Sequence, residues 1–239
     1  MTRSKPLVGV IGGVGPLATA YFLDMVVRLT AAEQDQDHLD LVVFNHASIP
    51  DRTDFVVGRS EDNPGPVMAE DARRLEAFGS DFLVLPCNTA HTFTDEVQRA
   101  VSIPLLSIVG ETLDEAQRRV PRLERAGVLA TTGTVRSGVY HRALEERGVT
   151  PLVPGEEDQA TVMRVIYEQV KAGRPVDLAA LRSVVDTLVD QGAQVVLLGC
   201  TELSVVAADF DLLAEPLYVD SLDQLARATI RRAGARVRD

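Results

Sequence analysis

Short runs of Val, Leu and Ile alternate along this chain with longer segments whose apolar residues recur at helical spacing. This alternation is typical of mainly parallel sheets covered by helices, and it predicts the α/β fold class. Strands are predicted at residues 7–11, 41–44, 82–85, 105–107, 126–130, 195–198 and 217–219. Helices are predicted at residues 17–32, 67–78, 93–100, 135–146, 157–172, 178–190 and 221–233.

The second half of this pattern repeats the first. The segment GSDFLVLPCNT, which contains Cys87, aligns without a gap with GAQVVLLGCTE, which contains Cys200. Before these segments VGVIGGVGP resembles AGVLATTGT, and after them SIPLLSIVGETLDEA resembles AEPLYVDSLDQLARA. One duplication explains the three matches and predicts two pseudo-symmetric domains. We expect an N-terminal lobe of residues 1–104 and 215–239 with Cys87, and a C-terminal lobe of residues 105–214 with Cys200.

The repeat places Cys87 and Cys200 at equivalent points, each at the carboxyl end of a predicted strand and just before a helix. Ligands of open α/β sheets bind at this edge. A thiol near a helix N-terminus has a lowered pKa, so that thiol and thiolate are both available for acid/base chemistry. If the two halves face each other, one thiolate could remove a proton from a carbon while the opposite thiol delivers one. Such a pair would invert a stereocentre without a cofactor.

Three other interpretations of the cysteines stay open. They could form a structural disulfide, which a reducing compartment disfavours. They could be inert small side chains in two cores. A metal site has little support, because Cys87 and His91 form the one Cys/His pair at helical spacing. The remaining histidines show no ligand-like arrangement; these are His38, His46 and His141.

The composition narrows the classes of partner. With 24 basic and 35 acidic residues among 239, the chain has a formal net charge of −11 and no basic patch long enough to follow a phosphate backbone. Nucleic acid and anionic membranes are therefore not expected partners. No apolar run reaches the roughly 18 to 20 residues that span a bilayer. The N-terminal stretch resembles a signal peptide, but its glycines fit a strand and turn better, so we expect a cytoplasmic protein.

A glycine-rich loop follows the first predicted strand. The segment GVGPLA, residues 13–18, fits the dinucleotide-binding fingerprint. Its support is weak, because the second predicted strand leads to Asn45 and not to the acidic residue that would bind a ribose hydroxyl. The loop could instead form an anion pocket in which the helix N-terminus accepts a carboxylate.

Two basic residues are candidates for the site. Lys171 is the one plausible Schiff-base lysine for pyridoxal phosphate chemistry, although its setting at a helix end, EQVKAGRP, favours a surface position. Arg52 follows the second predicted strand, again at the expected ligand edge. It could equally be a loop arginine paired with Asp51 or Asp54.

The motifs GVIGGVGPLAT, IPDRT, PCNTAH, LATTGTVRSGVY, YEQVKAG and GCTELSVV, in this order, resemble those of the cofactor-independent aspartate racemases of the aspartate/glutamate racemase superfamily. The resemblance covers nearly the whole chain. It implies two pseudo-symmetric α/β domains, each a mainly parallel sheet flanked by helices, with the active site in the cleft between them. It also implies that no cofactor or metal is needed and that the protein is a homodimer.

The resemblance transfers roles to individual residues. The cysteines of the paired segments are the family's two catalytic bases, which here are Cys87 and Cys200. The arginine of PDRT and the lysine of VKAG bind the side-chain carboxylate, which here are Arg52 and Lys171. Donors to the α-carboxylate correspond to Asn88, Thr89, Thr132 and Thr201.

Glutamate racemases usually carry CTH at the second cysteine, whereas this chain has Cys200-Thr201-Glu202. The difference favours the aspartate branch and makes Glu202 a candidate for tuning the pKa of Cys200. The expected function is interconversion of L- and D-aspartate by thiolate/thiol proton transfer at Cα. The alternatives are a racemase of glutamate or another acidic amino acid, a non-catalytic dicarboxylate-binding protein, and an NAD-linked enzyme that uses residues 13–18.

Overall fold

The computed structural model describes residues 5–238, which divide into two compact units. Unit 1 contains the described residues up to Ile108 and those from Leu222 onward, and unit 2 contains Val109–Ser221. The division predicted from the sequence lies at 104/105 and 214/215, whereas these limits lie at 108/109 and 221/222. Each unit has a parallel sheet flanked by helices, which confirms the predicted α/β class.

The strands and helices follow one another in chain order. The strands are β1 (Leu7–Gly12), β2 (Asp40–Asn45), β3 (Phe82–Val84), β4 (Arg125–Leu129), β5 (Thr150–Leu152), β6 (Val195–Leu198) and β7 (Tyr218–Asp220). The α-helices are α1 (Pro16–Leu29), α2 (Arg52–Val56), α3 (Gly65–Phe78), α4 (Thr94–Ala100), α5 (Ile108–Arg119), α6 (Thr132–Ser137), α7 (Val139–Glu145), α8 (Glu156–Arg164), α9 (Leu178–Asp190), α10 (Thr201–Asp209) and α11 (Ser221–Arg232). Three 3₁₀ segments cover Asp35–Asp37, Thr89–Phe93 and Leu212–Ala214, and a π-helical segment covers Val165–Val170.

The sheet of unit 1 has the strand order β2-β1-β3, with both pairs parallel. Central strand β1 is buried from Val8 onward because helices cover the sheet. Met68 and Leu75 of α3 pack with Ile11 and Leu83 in one apolar cluster. Fully burying such a side chain contributes about 1.5–3 kcal/mol each, so this packing holds the strand ends in place.

The sheet of unit 2 has the order β5-β4-β6-β7, again with parallel pairs only. Leu181 and Leu188 of α9 pack with Val196 and Leu198 of β6 in the main apolar cluster of this unit. Cys200 belongs to the same cluster. The carboxyl end of β6 is therefore anchored by buried apolar contacts.

The two sheets share one strand order, as the internal repeat predicts. Strands β2, β1 and β3 correspond to β5, β4 and β6. Where unit 2 has β7 beside β6, unit 1 has one isolated parallel bridge between Leu83 and Leu105. The strand predicted at 105–107 is therefore wrong, because Pro104 offers no N–H for a ladder and the chain enters α5 at Ile108.

Further differences have local causes. The helix predicted at 135–146 is divided into α6 and α7 at Gly138, which has a φ of 68°. The helix predicted at 157–172 is α8 followed by the π-helical segment. Strand β5 was not predicted, because Pro151 interrupts the strand pattern and is tolerated at this sheet edge. Helices α2, α5 and α10 lie outside the predicted helix and strand ranges. Within the described range, no helix is both long and apolar enough to cross a membrane.

Candidate active site

Cys87 lies in a tight turn just beyond β3, at the carboxyl end of the strand. Its amide N–H donates to the Leu85 carbonyl at 2.8 Å, and the residue is 9% exposed. The predicted position at a strand end is confirmed. The residues that follow form the 3₁₀ segment Thr89–Phe93 and not an α-helix, and Asn88 precedes it without a side-chain capping bond. Asn88 and Thr89 are both buried beside the thiol-bearing turn.

His91 supports the Cys87 turn from inside unit 1. Its Nδ1 lies 2.8 Å from the Cys87 carbonyl oxygen, and its Nε2 accepts a hydrogen bond from the Ile108 N–H at 3.1 Å. Since Nε2 accepts, the proton is on Nδ1 and points at Cys87. Burial lowers the pKa of His91 to about 4, and the Cys87 and Leu106 carbonyls offset this only in part. The His91 ring is therefore neutral, and both of its nitrogens form hydrogen bonds that hold the Cys87 turn in place.

This geometry bears on the alternatives for the cysteines. Both thiols are free. Because both His91 nitrogens have partners, the Cys87/His91 pair does not present a metal-binding imidazole. Across residues 5–238, no group of three or more His, Cys, Asp or Glu side chains is arranged to hold a metal ion.

Cys200 follows β6 and is the N-cap residue of α10. It is 5% exposed, and its Sγ lies 3.0 Å from Glu202 Oε2, which also accepts from Thr201 Oγ1 at 3.2 Å. Burial, followed by the charge of Glu202 and this hydrogen bond, raises the pKa of Cys200 well above its ordinary value. The expected lowering by a helix N-terminus is therefore wrong for Cys200, because burial and a neighbouring carboxylate outweigh it. The sulfur is held as a thiol.

Lys171 follows directly on the π-helical segment and contacts Glu202. Its Nζ lies 3.8 Å from Glu202 Oε1 and 4.1 Å from the centre of the Tyr167 ring. The positive charge of Lys171 lowers the pKa of Cys200, but this effect is smaller than those of burial and of Glu202. Lys171 lies on the surface, as its setting at a helix end predicts, and its contact with Glu202 connects it to Cys200.

Arg52 begins α2 in the loop after β2. Its Nη1 donates to the Ile49 and Pro50 carbonyls at 3.3 and 3.1 Å, and its buried Nε has no partner among the described residues. The suggested pairing with Asp51 or Asp54 is wrong: Asp51 caps α2 through the Asp54 N–H, and Asp54 pairs with Arg59. The Arg52 guanidinium thus has an N–H group, at Nε, that can still donate a hydrogen bond at the carboxyl edge of the sheet.

The remaining predicted donors lie at strand ends of unit 2. Thr132 begins α6 after β4, and its Oγ1 lies 3.4 Å from Gln159 Nε2. Thr131, not Thr132, caps the helix by accepting from the Thr134 N–H. Thr201 is buried and directed at Glu202.

In the glycine-rich loop of unit 1, one backbone amide is hydrogen-bonded to the helix that follows the loop, α1. The Gly13 N–H donates to Thr19 Oγ1 at 3.0 Å, so this amide already has a partner. Strand β2 ends at Asn45, and no carboxylate stands at the position where a dinucleotide fold binds the ribose. The dinucleotide hypothesis gains no support from this loop.

Residues 11–229 match the sequence model of a known family, described as Asp/Glu/hydantoin racemase. The chain belongs to this family. The broad specificity amino-acid racemase RacX of Bacillus subtilis (strain 168) is 30% identical over 230 residues, which are 94% of this chain and 96% of that protein. The chain is thus an isomerase of the amino-acid racemase type.

Solved racemase structures have the same fold. An aspartate racemase of Picrophilus torridus superposes with a TM-score of 0.79 at 29% identity, covering 98% of this chain and 96% of the other. A glutamate racemase of Francisella tularensis, in complex with D-glutamate, superposes with a TM-score of 0.67 over 95% of this chain and 80% of the other. At 18% identity, the second match shows the fold alone. The two-domain racemase fold implied by the sequence motifs is confirmed.

Sequence reasoning missed two residues that contact the predicted site residues Cys87 and Lys171. The sequence suggests His91 only as a possible metal ligand. Its position four residues after Cys87 is, however, the spacing that lets its Nδ1 reach the Cys87 carbonyl. Tyr167 lies four residues before Lys171, and its ring supports the ammonium group. The second spacing is visible in YEQVKAG, but the contact depends on the local helix geometry.

Proposed function

We propose that the protein is a cofactor-independent racemase of acidic amino acids, with aspartate as its main substrate, that works by two-base proton transfer between thiols. The observation that carries the proposal is the equivalence of the cysteines. Each follows the corresponding strand of a duplicated sheet, β3 in unit 1 and β6 in unit 2. The proposal requires the two sulfurs to approach one Cα from opposite sides.

The starting protonation state follows from the contact with Glu202. Since the Cys200 Sγ–H donates to this carboxylate, Cys200 begins as the proton donor. In the proposed forward step, the Cys87 thiolate takes the α-proton and the Cys200 thiol gives its proton to the opposite face. The products are then a Cys87 thiol and a Cys200 thiolate. For the other enantiomer the roles exchange, with Glu202 accepting the Cys200 proton beforehand.

The preference for acidic substrates rests on Arg52 and Lys171. Each would bind the side-chain carboxylate through charge-assisted hydrogen bonds, which are roughly twice as strong as neutral ones. Asn88, Thr89, Thr132 and Thr201 would donate to the α-carboxylate and to the enolate charge that develops in the transition state. The similarity to an aspartate racemase and to a broad specificity racemase supports amino acids as the class.

The direct test is incubation of the purified protein with L-aspartate in deuterated water without any cofactor. We expect deuterium at Cα and accumulation of D-aspartate. Parallel incubations with glutamate and alanine would show whether acidic side chains are preferred. Equal rates for aspartate and alanine would contradict the proposed specificity while leaving racemase activity in place.

The two-base scheme is tested by Cys87→Ala and Cys200→Ala. Each substitution should abolish racemisation, whereas exchange of the α-proton with solvent could persist in one of them for a single enantiomer. Full racemase activity in either variant would refute the scheme. Binding of aspartate by the wild-type protein without any isotope exchange would instead indicate a dicarboxylate-binding protein.

A further inference from the structure

His46 and Asp71 form a pair that the mechanism above does not use. His46 is the first residue after β2, and its Nδ1 lies 2.7 Å from Asp71 Oδ2 on α3. The Asp71 side chain is 1% exposed and the His46 side chain is 28% exposed. A carboxylate this deeply buried is costly unless it is paired. Its close hydrogen-bonding partner is the His46 ring, so the pair holds the ring in one orientation.

The orientation leaves one ring nitrogen available. Because an ionised carboxylate only accepts hydrogen bonds, Nδ1 carries the proton and Nε2 is the nitrogen that does not face Asp71. No described residue forms a hydrogen bond with Nε2. When Nε2 also binds a proton, the ring is a cation whose charge is balanced by Asp71. The other charged groups at this position are Arg74, whose Nη1 is 3.4 Å from Asp71 Oδ1, and Glu70, which pairs with Arg74.

The backbone of His46 is built into the ligand edge of the sheet. Its N–H donates to the Gly12 carbonyl at 3.2 Å. A side chain on Gly13 would lie within 2.3–2.5 Å of His46 backbone atoms, and Gly13 has a φ of 83°, so glycine is required there. The loop that begins with His46 leads to Arg52. Cys87 follows β3 at the same edge, two strands away in the order β2-β1-β3, which corresponds to about 10 Å.

We propose that His46, oriented by Asp71, is a specificity-determining residue that binds a carboxylate of the substrate through Nε2–H. The distance between the two strand ends suits a small acidic amino acid whose Cα lies near Cys87 and whose side chain extends toward β2. Arg52 and His46 would then provide two donors to the anion from one loop. The inference rests on the proposed racemase function for its kinetic consequences, but not for binding itself.

Binding is measured with succinate, an unreactive dicarboxylate, by titration calorimetry. His46→Gln should weaken succinate binding at least tenfold, and Asp71→Asn should weaken it because the balancing charge is lost. The matched control is His38→Gln, since His38 precedes the same strand at its opposite end. The control should bind succinate as the wild type does. Unchanged binding by His46→Gln, or no binding of succinate by the wild type, would overturn the proposal.

Kinetics separate this role from a merely structural one. In His46→Gln we expect KM for aspartate to rise at least tenfold with kcat within threefold, and KM for alanine to stay near its wild-type value. Equal losses for aspartate and alanine would show that the pair only supports the fold and would overturn the proposal. If the wild type racemises neither amino acid, the proposed function fails, while the succinate measurement still decides the role of His46.

Discussion

The protonation of Cys200 depends on its burial and on two side chains of unit 2, Glu202 and Lys171. Burial disfavours the thiolate first, and Glu202 disfavours it further through its charge and its hydrogen bond. Lys171 opposes this effect from the far side of the same carboxylate. Burial and an acidic residue two positions after the cysteine thus both favour the thiol form of Cys200.

Glu202→Gln should lower the pKa of Cys200, because the substitution removes a negative charge while burial remains. Loss of the carboxylate charge and of its hydrogen bond to the thiol both act in this direction. The measurement is the pH dependence of thiolate ultraviolet absorbance in a Cys87→Ala background, where Cys200 is the one cysteine of the chain. Asp209→Asn at the exposed end of α10 serves as the control. An unchanged or higher pKa in Glu202→Gln would contradict the assigned role.

The buried His91 predicts a specific acid sensitivity. The folded chain binds a proton on this ring only below about pH 4, whereas the unfolded chain does so below pH 6.5. The unfolded state therefore binds more protons in this window, and the free energy of unfolding falls as the pH drops from 6.5 to 4. The contribution of this one group is up to about 3 kcal/mol.

Urea denaturation of the wild type and of His91→Gln at several pH values isolates the contribution of His91. The variant is less stable at neutral pH, because it loses contacts to Cys87 and Ile108, but its stability should fall less between pH 6.5 and 4. Parallel curves for the two proteins would show that His91 does not titrate as proposed.

At the scale of helices and strands, two irregular points in unit 2 fix where side chains and helices lie. The π-helical segment Val165–Val170 extends α8 without a break and places Lys171 against Tyr167 and Glu202. Such segments are rare and often occur at functional sites. In the same unit, Gly138 ends α6 in the left-handed region and allows α7 to begin immediately.

Gly138 should tolerate substitution according to the cost of its positive φ of 68°. Gly138→Ala should lower the free energy of unfolding by about 1 kcal/mol, and Gly138→Asn by less, because Asn enters the left-handed region more readily. Chemical denaturation of the three proteins gives the order. Equal stability of the alanine and asparagine variants would indicate that crowding by Arg142, whose Nη1 would lie 2.9 Å from an added Cβ, matters more than the backbone conformation.

At the scale of the whole molecule, we expect a homodimer. Three large apolar side chains are exposed on unit 1, Leu17 at 62%, Val27 at 51% and Phe78 at 71%, and burial in an interface would remove them from water. Sedimentation should give twice the chain mass of 25.9 kDa at micromolar concentration. Because the net charge of −11 opposes association, the dimer should tighten with added salt. A monomer at every concentration and salt level would contradict this expectation.

The sequence by itself determined the α/β class, the internal duplication and the position of Cys87 and Cys200 at strand ends. These features follow from local patterns, since apolar runs and repeated segments are properties of neighbouring residues. Strand β5 and helix α5 escaped prediction for local reasons too, because their patterns are short or interrupted.

Only the tertiary structure decided how the polar groups of each unit are paired. His46 meets Asp71 across 25 positions, His91 meets Ile108 across 17, and Lys171 meets Glu202 across 31. It also reversed the expected direction of the pKa of Cys200, because burial outweighs a helix N-terminus. Burial and long-range pairing depend on how distant segments pack, and no local pattern of apolar and polar residues contains that information.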